Sequence, residues 1–187
     1  MGDEMDLLLS RRSVARVSPD PIPRAVVAEL LVAATHAPNH HLTAPWRFIV
    51  LTGAARRAIG EAHAAAVVRQ RPDAGPDVIA RASARLERAP VVIVCIVHSD
   101  PEDVVRARED RDAVATAIQN LLLAAHIRGL AGMWRTGAMV DEPEVRAALG
   151  LTHTDTIVAF VYLGHAAVAP PERDRQPVDS VVEWREQ

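Results

Sequence analysis

The sequence predicts one domain that mixes helices and strands around a single sheet, α+β or α/β in three layers. Three observations predict it. The run "VVIVCIV", residues 91–97, is apolar at every position and rich in β-branched residues, so it reads as a strand buried on both faces. Segments of helical periodicity alternate with such strand-like runs. Proline and glycine stand at the breaks between them. The 187 residues suit one domain spanning 1–187, and no internal repeat or linker divides it.

Each element has its own warrant. Residues 4–11 read as a short helix ending at "RRS", followed by the turn "SPDPIP". Pro23 suits a first helical position, and apolar residues at 26, 27, 30, 31 and 34 continue that helix until Pro38 stops it. "RFIVLTG" is a strand closed by Gly53, and 54–70 is an alanine-rich helix broken by "RPDAGP". A helix over 77–88 leads to the 91–97 strand, and 102–128 forms one long helix capped by Gly129. "AGMWRTG" is a short strand or loop. Asp141 and Glu144 suit an N-cap and third-position pair around Pro143, opening a helix that Gly150 ends. "TIVAFVYLG" is the last strand, and a Pro-rich, charged tail follows from 165.

Composition excludes several classes. The charge of −3, few aromatic residues and lack of a polybasic block disfavour nucleic acid. No apolar run approaches the roughly 20 residues that span a bilayer, and the acidic start "MGDEMDLLLSRRS" does not read as a signal peptide. A lone cysteine, Cys95, excludes an internal disulfide framework; inside an apolar strand it reads as inert. A cytoplasmic protein is the simplest expectation.

The richest stretch is "HAPNHHLTAPWRFIVL", residues 36–51. His36, His40 and His41 have metal-like spacing, but Pro38 breaks any shared helical face and no Asp, Glu or Cys follows nearby. No metal is predicted; the histidines read as solvated or hydrogen-bonding. Trp46 reads as core. No nucleophile elbow, zincin, Walker or G-x-G-x-x-G motif occurs. What remains is arginine, which supplies all 21 basic Lys+Arg positions. "RRS" at 11–13, "WRT" at 134–136 and "RDR" at 173–175 place guanidinium forks near turns, where they can grip a phosphate or carboxylate.

"RRSVARV", "APNHHLTAPWRFIV" and "RGLAGMWRTGAM", in that order, followed by "VRAALGL" and "IVAFVYLG", resemble the small members of the nitroreductase family over nearly the whole chain. The resemblance implies an α+β, three-layer α/β/α sandwich with a central, mostly antiparallel sheet. It implies a homodimer with non-covalent FMN at the subunit interface and NAD(P)H as reductant. It places Arg11, Arg12 and Ser13 on the phosphate and ribityl end, His36 and His40 on the flavin from the other subunit, and Trp134, Arg135 and Thr136 along the ring. Arg173 and Arg175 would join the phosphate, and Ala124, Ala125, His126, Ile127, Arg128 and Gly129 would meet nicotinamide. The tail, 165–187, would pack on the dimer partner or the cofactor site.

Two departures from the family pattern stand out. Where many members have Asn, then Thr or Ser, then Gln before Pro-Trp, this chain reads Leu42, Thr43 and Ala44, so the polar side chains at 42 and 44 are lost, and Ala15 stands where many members have lysine. The implied activity is two-electron reduction of electron-poor small molecules, nitroaromatics or quinones, with no catalytic side chain beyond the flavin. Alternatives are a flavin-binding storage or regulatory protein without turnover, and a flavin-remodelling or dehalogenating enzyme; the short "QRPDAGPD" loop argues against the last. An independent argument for the dimer is "AIQNLLLAAHI", 117–127. Leu121, Leu122 and Leu123 point three ways around the helix, which predicts cover from a second copy.

Overall fold

The computed structural model describes residues 2–170 and 172–186. The all-apolar run becomes β2 (Val91–His98), with every side chain from Val91 to Val97 buried. Its odd positions face one core and its even positions the other. β2 pairs antiparallel with β1 (Trp46–Leu51) on one side and β4 (Asp155–Gly164) on the other. β3 (Ala131–Arg135) closes the order β1-β2-β4-β3, antiparallel to β4. A register shift beside Cys95 turns Val158 and Ala159 to the same face, so two consecutive β4 residues join one core.

Helices cover both faces, giving three α/β/α layers. On one face α2 (Arg24–Thr35) and α5 (Val104–Ile127) pack together over Ile93, Cys95 and Val161. On the other, α3 (Ala54–Gln70), α4 (Pro76–Ser83) and α6 (Pro143–Ala148) gather around Ile59, Val94, Val145 and Phe160. α1 (Gly2–Ser10) leans on α5. No helix among the described residues is long and apolar enough to cross a membrane.

Two local readings change in the fold. The predicted 77–88 helix is α4 followed by a 3₁₀ turn over Ala84–Arg88. The predicted Asp141–Glu144 cap does not form: Glu142 holds the cap position, without a side-chain cap bond. Glu142 and Glu144 instead bind Arg69 of α3 at 2.9 and 2.6 Å, and Gln70 donates to Glu142 at 2.6 Å. Pro143 takes the first helical position, which leaves Asp141 one residue before the cap, and Arg69 engages Glu144.

The apolar residues of α5 do not need cover from a second copy. Leu121 and Leu122 are buried within this chain and Leu123 is half-buried. α2 covers one side of α5 and the sheet the other. Apolar residues do stand exposed elsewhere: Met5, Leu8 and Leu9 of α1, and Val178, Val181 and Trp184 of the tail.

Candidate functional site

The segment after α1 runs along the open edge of the sheet. Ser13 bridges Gly132 in parallel, Val14 donates to the Gly132 carbonyl, and Val17 bridges Ala166 beyond β4. Glycine permits this approach. A Cβ on Gly164 would lie 2.6 Å from that of Val17. Val14 is buried beneath the segment, while Ser13, Ala15 and Arg16 face outward. The tail then turns back over the same edge, with Ala167 donating to the Arg16 carbonyl at 3.1 Å.

This edge and the returning tail enclose a cavity of about 570 Å³. Arg11, Arg12, Arg16, Arg173 and Arg175 line it together with Ser13, and among the described residues no carboxylate does. Arg12 is partly spoken for: its Nη1 donates to the carbonyls of Leu9 and Arg11, the latter at 3.0 Å. Among the described residues none of the five forms an ion pair. Partial burial, then the nearby charges of Arg175 and Arg12, hold the Arg11 pKa below its ordinary value. Five like charges converging without a counter-ion are unfavourable until an anion arrives, so this donor set fits a phosphate monoester. Apolar Val14, Met133 and Val168 complete the wall. The larger cavity of about 710 Å³, between Pro21, Val27 and Val91, is mostly apolar. It holds only two guanidinium groups, and Arg56 there is bound to the Ala89 carbonyl.

The other sequence-predicted residues lie apart from the arginine cavity within one chain. Trp134 packs against the α2–α5 core, Arg135 lies over the Tyr162 ring at 5.3 Å, and Thr136 is exposed. From β3 it is Met133 that reaches the cavity. His36 closes α2, with its Nδ1 2.8 Å from the Val32 carbonyl, and His40 pairs with Glu109 at 3.0 Å. In the 124–129 stretch Ala125 is buried, His126 Nε2 meets Ser10 Oγ at 3.0 Å, and Arg128 pairs with Glu29. Ala124 packs on the core, Ile127 is exposed, and Gly129 takes the left-handed turn after α5. Burial pushes the Cys95 thiol pKa up, so it takes no part as a nucleophile. Arg16 and Met133 were not singled out in the sequence. Arg16 had a local signal, lying three residues after Ser13; Met133 had none.

The loop between α2 and β1 is held under strain. His41, Leu42 and Ala44 have φ of 57°, 53° and 45°, the left-handed region that non-glycine residues avoid. Asp110 of α5, buried, anchors it by accepting the Thr43 and Ser99 hydroxyls, both at 2.6 Å. Asn39 accepts the Ala44 N–H at 2.9 Å.

Comparison with known proteins accords with this geometry. Residues 8–165 match the model of the nitroreductase family. A Bacillus subtilis protein named "Putative NAD(P)H nitroreductase YfhC" is 31% identical over 92% of this chain and 89% of its own. The 5,6-dimethylbenzimidazole synthase of Rhodospirillum rubrum is 32% identical over 87% and 82%. Among solved structures, a nitroreductase-like family protein of Bacillus cereus superposes with a TM-score of 0.87 at 27% identity, covering 100% of this chain and 98% of that one. A Desulfovibrio desulfuricans protein solved in complex with FMN gives 0.78 at 24%, covering 100% and 99%. The match over most of the chain and the shared three-layer fold establish that this protein belongs to the nitroreductase family.

Proposed function

We propose that the protein is an FMN-dependent oxidoreductase that uses NAD(P)H to reduce electron-poor small molecules, nitroaromatics or quinones, by two-electron hydride transfer. The observation that carries this reading is the cavity where five guanidinium groups converge, without a carboxylate among the described residues. The family membership and the FMN complex of a fold neighbour support it.

When bound, the flavin supplies the hydride chemistry. The chain's own residues bind and orient it. Arg11, Arg16, Arg173 and Arg175 neutralise the phosphate, with Arg12 and the Ser13 hydroxyl beside them. Met133 offers an apolar wall next to them. Trp134, Arg135 and Thr136 stiffen the β3 edge that borders the ring. His36 and His40 act on the flavin of a second copy, so the functional unit is a homodimer; the exposed apolar residues of α1 and of the tail are the surface for it. Of the 124–129 stretch, Ile127, Arg128 and Gly129 are exposed and open to a nicotinamide nucleotide.

The test is spectroscopic. The purified protein should be yellow and should release FMN on denaturation. NADH or NADPH should bleach it without oxygen, and a quinone should restore the colour in stopped-flow absorbance. A flavin store without turnover does not bleach, and a protein that takes up no FMN overturns the reading. The dimethylbenzimidazole synthase relative favours a second reading, remodelling of the flavin itself. Only five residues, 71–75, separate α3 from α4, which leaves no lid there. Flavin consumed rather than recycled under air would favour that reading.

A further inference from the structure

We infer that His40, His41 and Glu109 form a binding site for a zinc-class divalent ion on the strained loop. Their ligand atoms lie within 4.8 Å of one another. His40 Nδ1 and Glu109 Oε2 are already 3.0 Å apart, close to the spacing of about 3.3 Å that two ligands of a tetrahedral zinc adopt. The sequence alone offered no carboxylate beside these histidines. α5 supplies it from a distant part of the chain.

The backbone explains why two consecutive histidines can serve together. Adjacent residues ordinarily point apart. Here the left-handed conformation at His41, φ 57° and ψ 15°, brings its ring to the same side as that of His40, stacked with centroids 4.0 Å apart, and rotation of the two exposed rings about their χ angles would turn both in-plane lone pairs toward one ion. Such strain persists only where the surroundings enforce it, and it concentrates at ligand sites. The enforcing contacts are present: Thr43 to Asp110, one residue along α5 from Glu109, and Asn39 to Ala44. Among the described residues the only ion-pair partner of Glu109 is His40, although the chain carries 21 basic side chains, all arginine.

Two imidazoles and one carboxylate select borderline ions such as zinc over magnesium or calcium, which prefer all-oxygen cages. Three protein ligands leave a fourth position for water or a ligand from outside the chain. The ion takes the Nδ1 lone pair of neutral His40, so the ring proton resides on Nε2, the nitrogen turned away from Glu109.

Equilibrium dialysis of tag-free, chelator-treated, flavin-loaded protein against zinc chloride tests the site. The expected result is one zinc per chain, bound at micromolar concentration and not displaced by excess magnesium; cobalt should give a visible ligand-field band. His41→Ala and Glu109→Gln should each weaken zinc at least about tenfold, without changing flavin content. His40, which the proposed function places on the partner's flavin, is unchanged in both variants, and neither His41 nor Glu109 lies in the arginine cavity, so failure here leaves that reading standing. No saturable binding below about 100 µM zinc, or equal binding by both variants, overturns the inference. If His41→Ala fails to fold, the surface variant Glu109→Gln decides alone.

Discussion

Replacing Arg175 by alanine should move two quantities in opposite senses. Arg175 is exposed, lines the cavity and makes no hydrogen bond or ion pair among the described residues. Its charge helps to hold the Arg11 pKa below the ordinary value. Removing it therefore deletes nothing that holds the apoprotein together and relieves a repulsion. Thermal stability of the apoprotein should stay the same or rise slightly. Toward FMN the sign reverses, because a hydrogen bond to a charged group is worth about 1.5–3 kcal/mol. Solvent screens an exposed side chain, so the lower end applies and FMN should bind about tenfold more weakly. Arg11, half-buried, should cost nearer the upper end, about a hundredfold. Fluorescence titration of apoprotein with FMN measures both, and riboflavin, which lacks the phosphate, is the control. The Arg175 variant should bind riboflavin as the parent does, and its FMN deficit should shrink with added salt. An unchanged FMN affinity, an equal loss with riboflavin, or a lower apoprotein melting temperature would refute the reasoning.

Three other outcomes follow from particular contacts. Asp155, 1% exposed, ties the ends of three strands by accepting from Arg47 at 2.8 Å, His98 at 3.0 Å, and Thr152 N and Oγ1 at 2.9 and 3.0 Å. Burial raises its pKa, but the bonds from Thr152 and His98 and the charge of Arg47 outweigh this, leaving it below the ordinary value. Stability from a depressed carboxylate is present above its unfolded pKa and lost as pH falls through the folded one. With Arg47 and His98 discounted as exposed partners, Asp155→Asn should cost about 3 kcal/mol at pH 7, roughly 8 °C in melting temperature. The gap should narrow only below about pH 4; a gap independent of pH would contradict this. Gly60→Ala should destabilise by about 3 kcal/mol or more, because its Cβ would lie 1.8 Å from the Ser83 carbonyl oxygen. Gly75→Ala, with nothing within 4 Å of its Cβ, is the neutral control in the same melts. Sedimentation should show a dimer that Leu9→Glu weakens more than tenfold, since burying a leucine is worth about 1.5–3 kcal/mol. A yellow monomer would overturn the shared flavin site.

The sequence by itself determined the elements and their order. Secondary structure in this chain is written in short-range signals: apolar side chains at every position of β2, helical spacing in α2, Pro38 after it, and Gly129 after α5. It also displayed arginine as the sole Lys/Arg-type cation, clustered near turns at positions 11, 12, 135, 173 and 175. Only the tertiary structure decided what meets what. Arg173 and Arg175 return across the sheet edge to Arg11, and Glu109 rises from α5 beside His40. α2 and the sheet cover α5, whose leucines had implied a second copy. Glu144, expected to help cap α6, binds Arg69 instead. The last three share a physical reason. A charge or an apolar face is satisfied by whichever group the fold brings within a few ångströms, and sequence separation does not enter that distance.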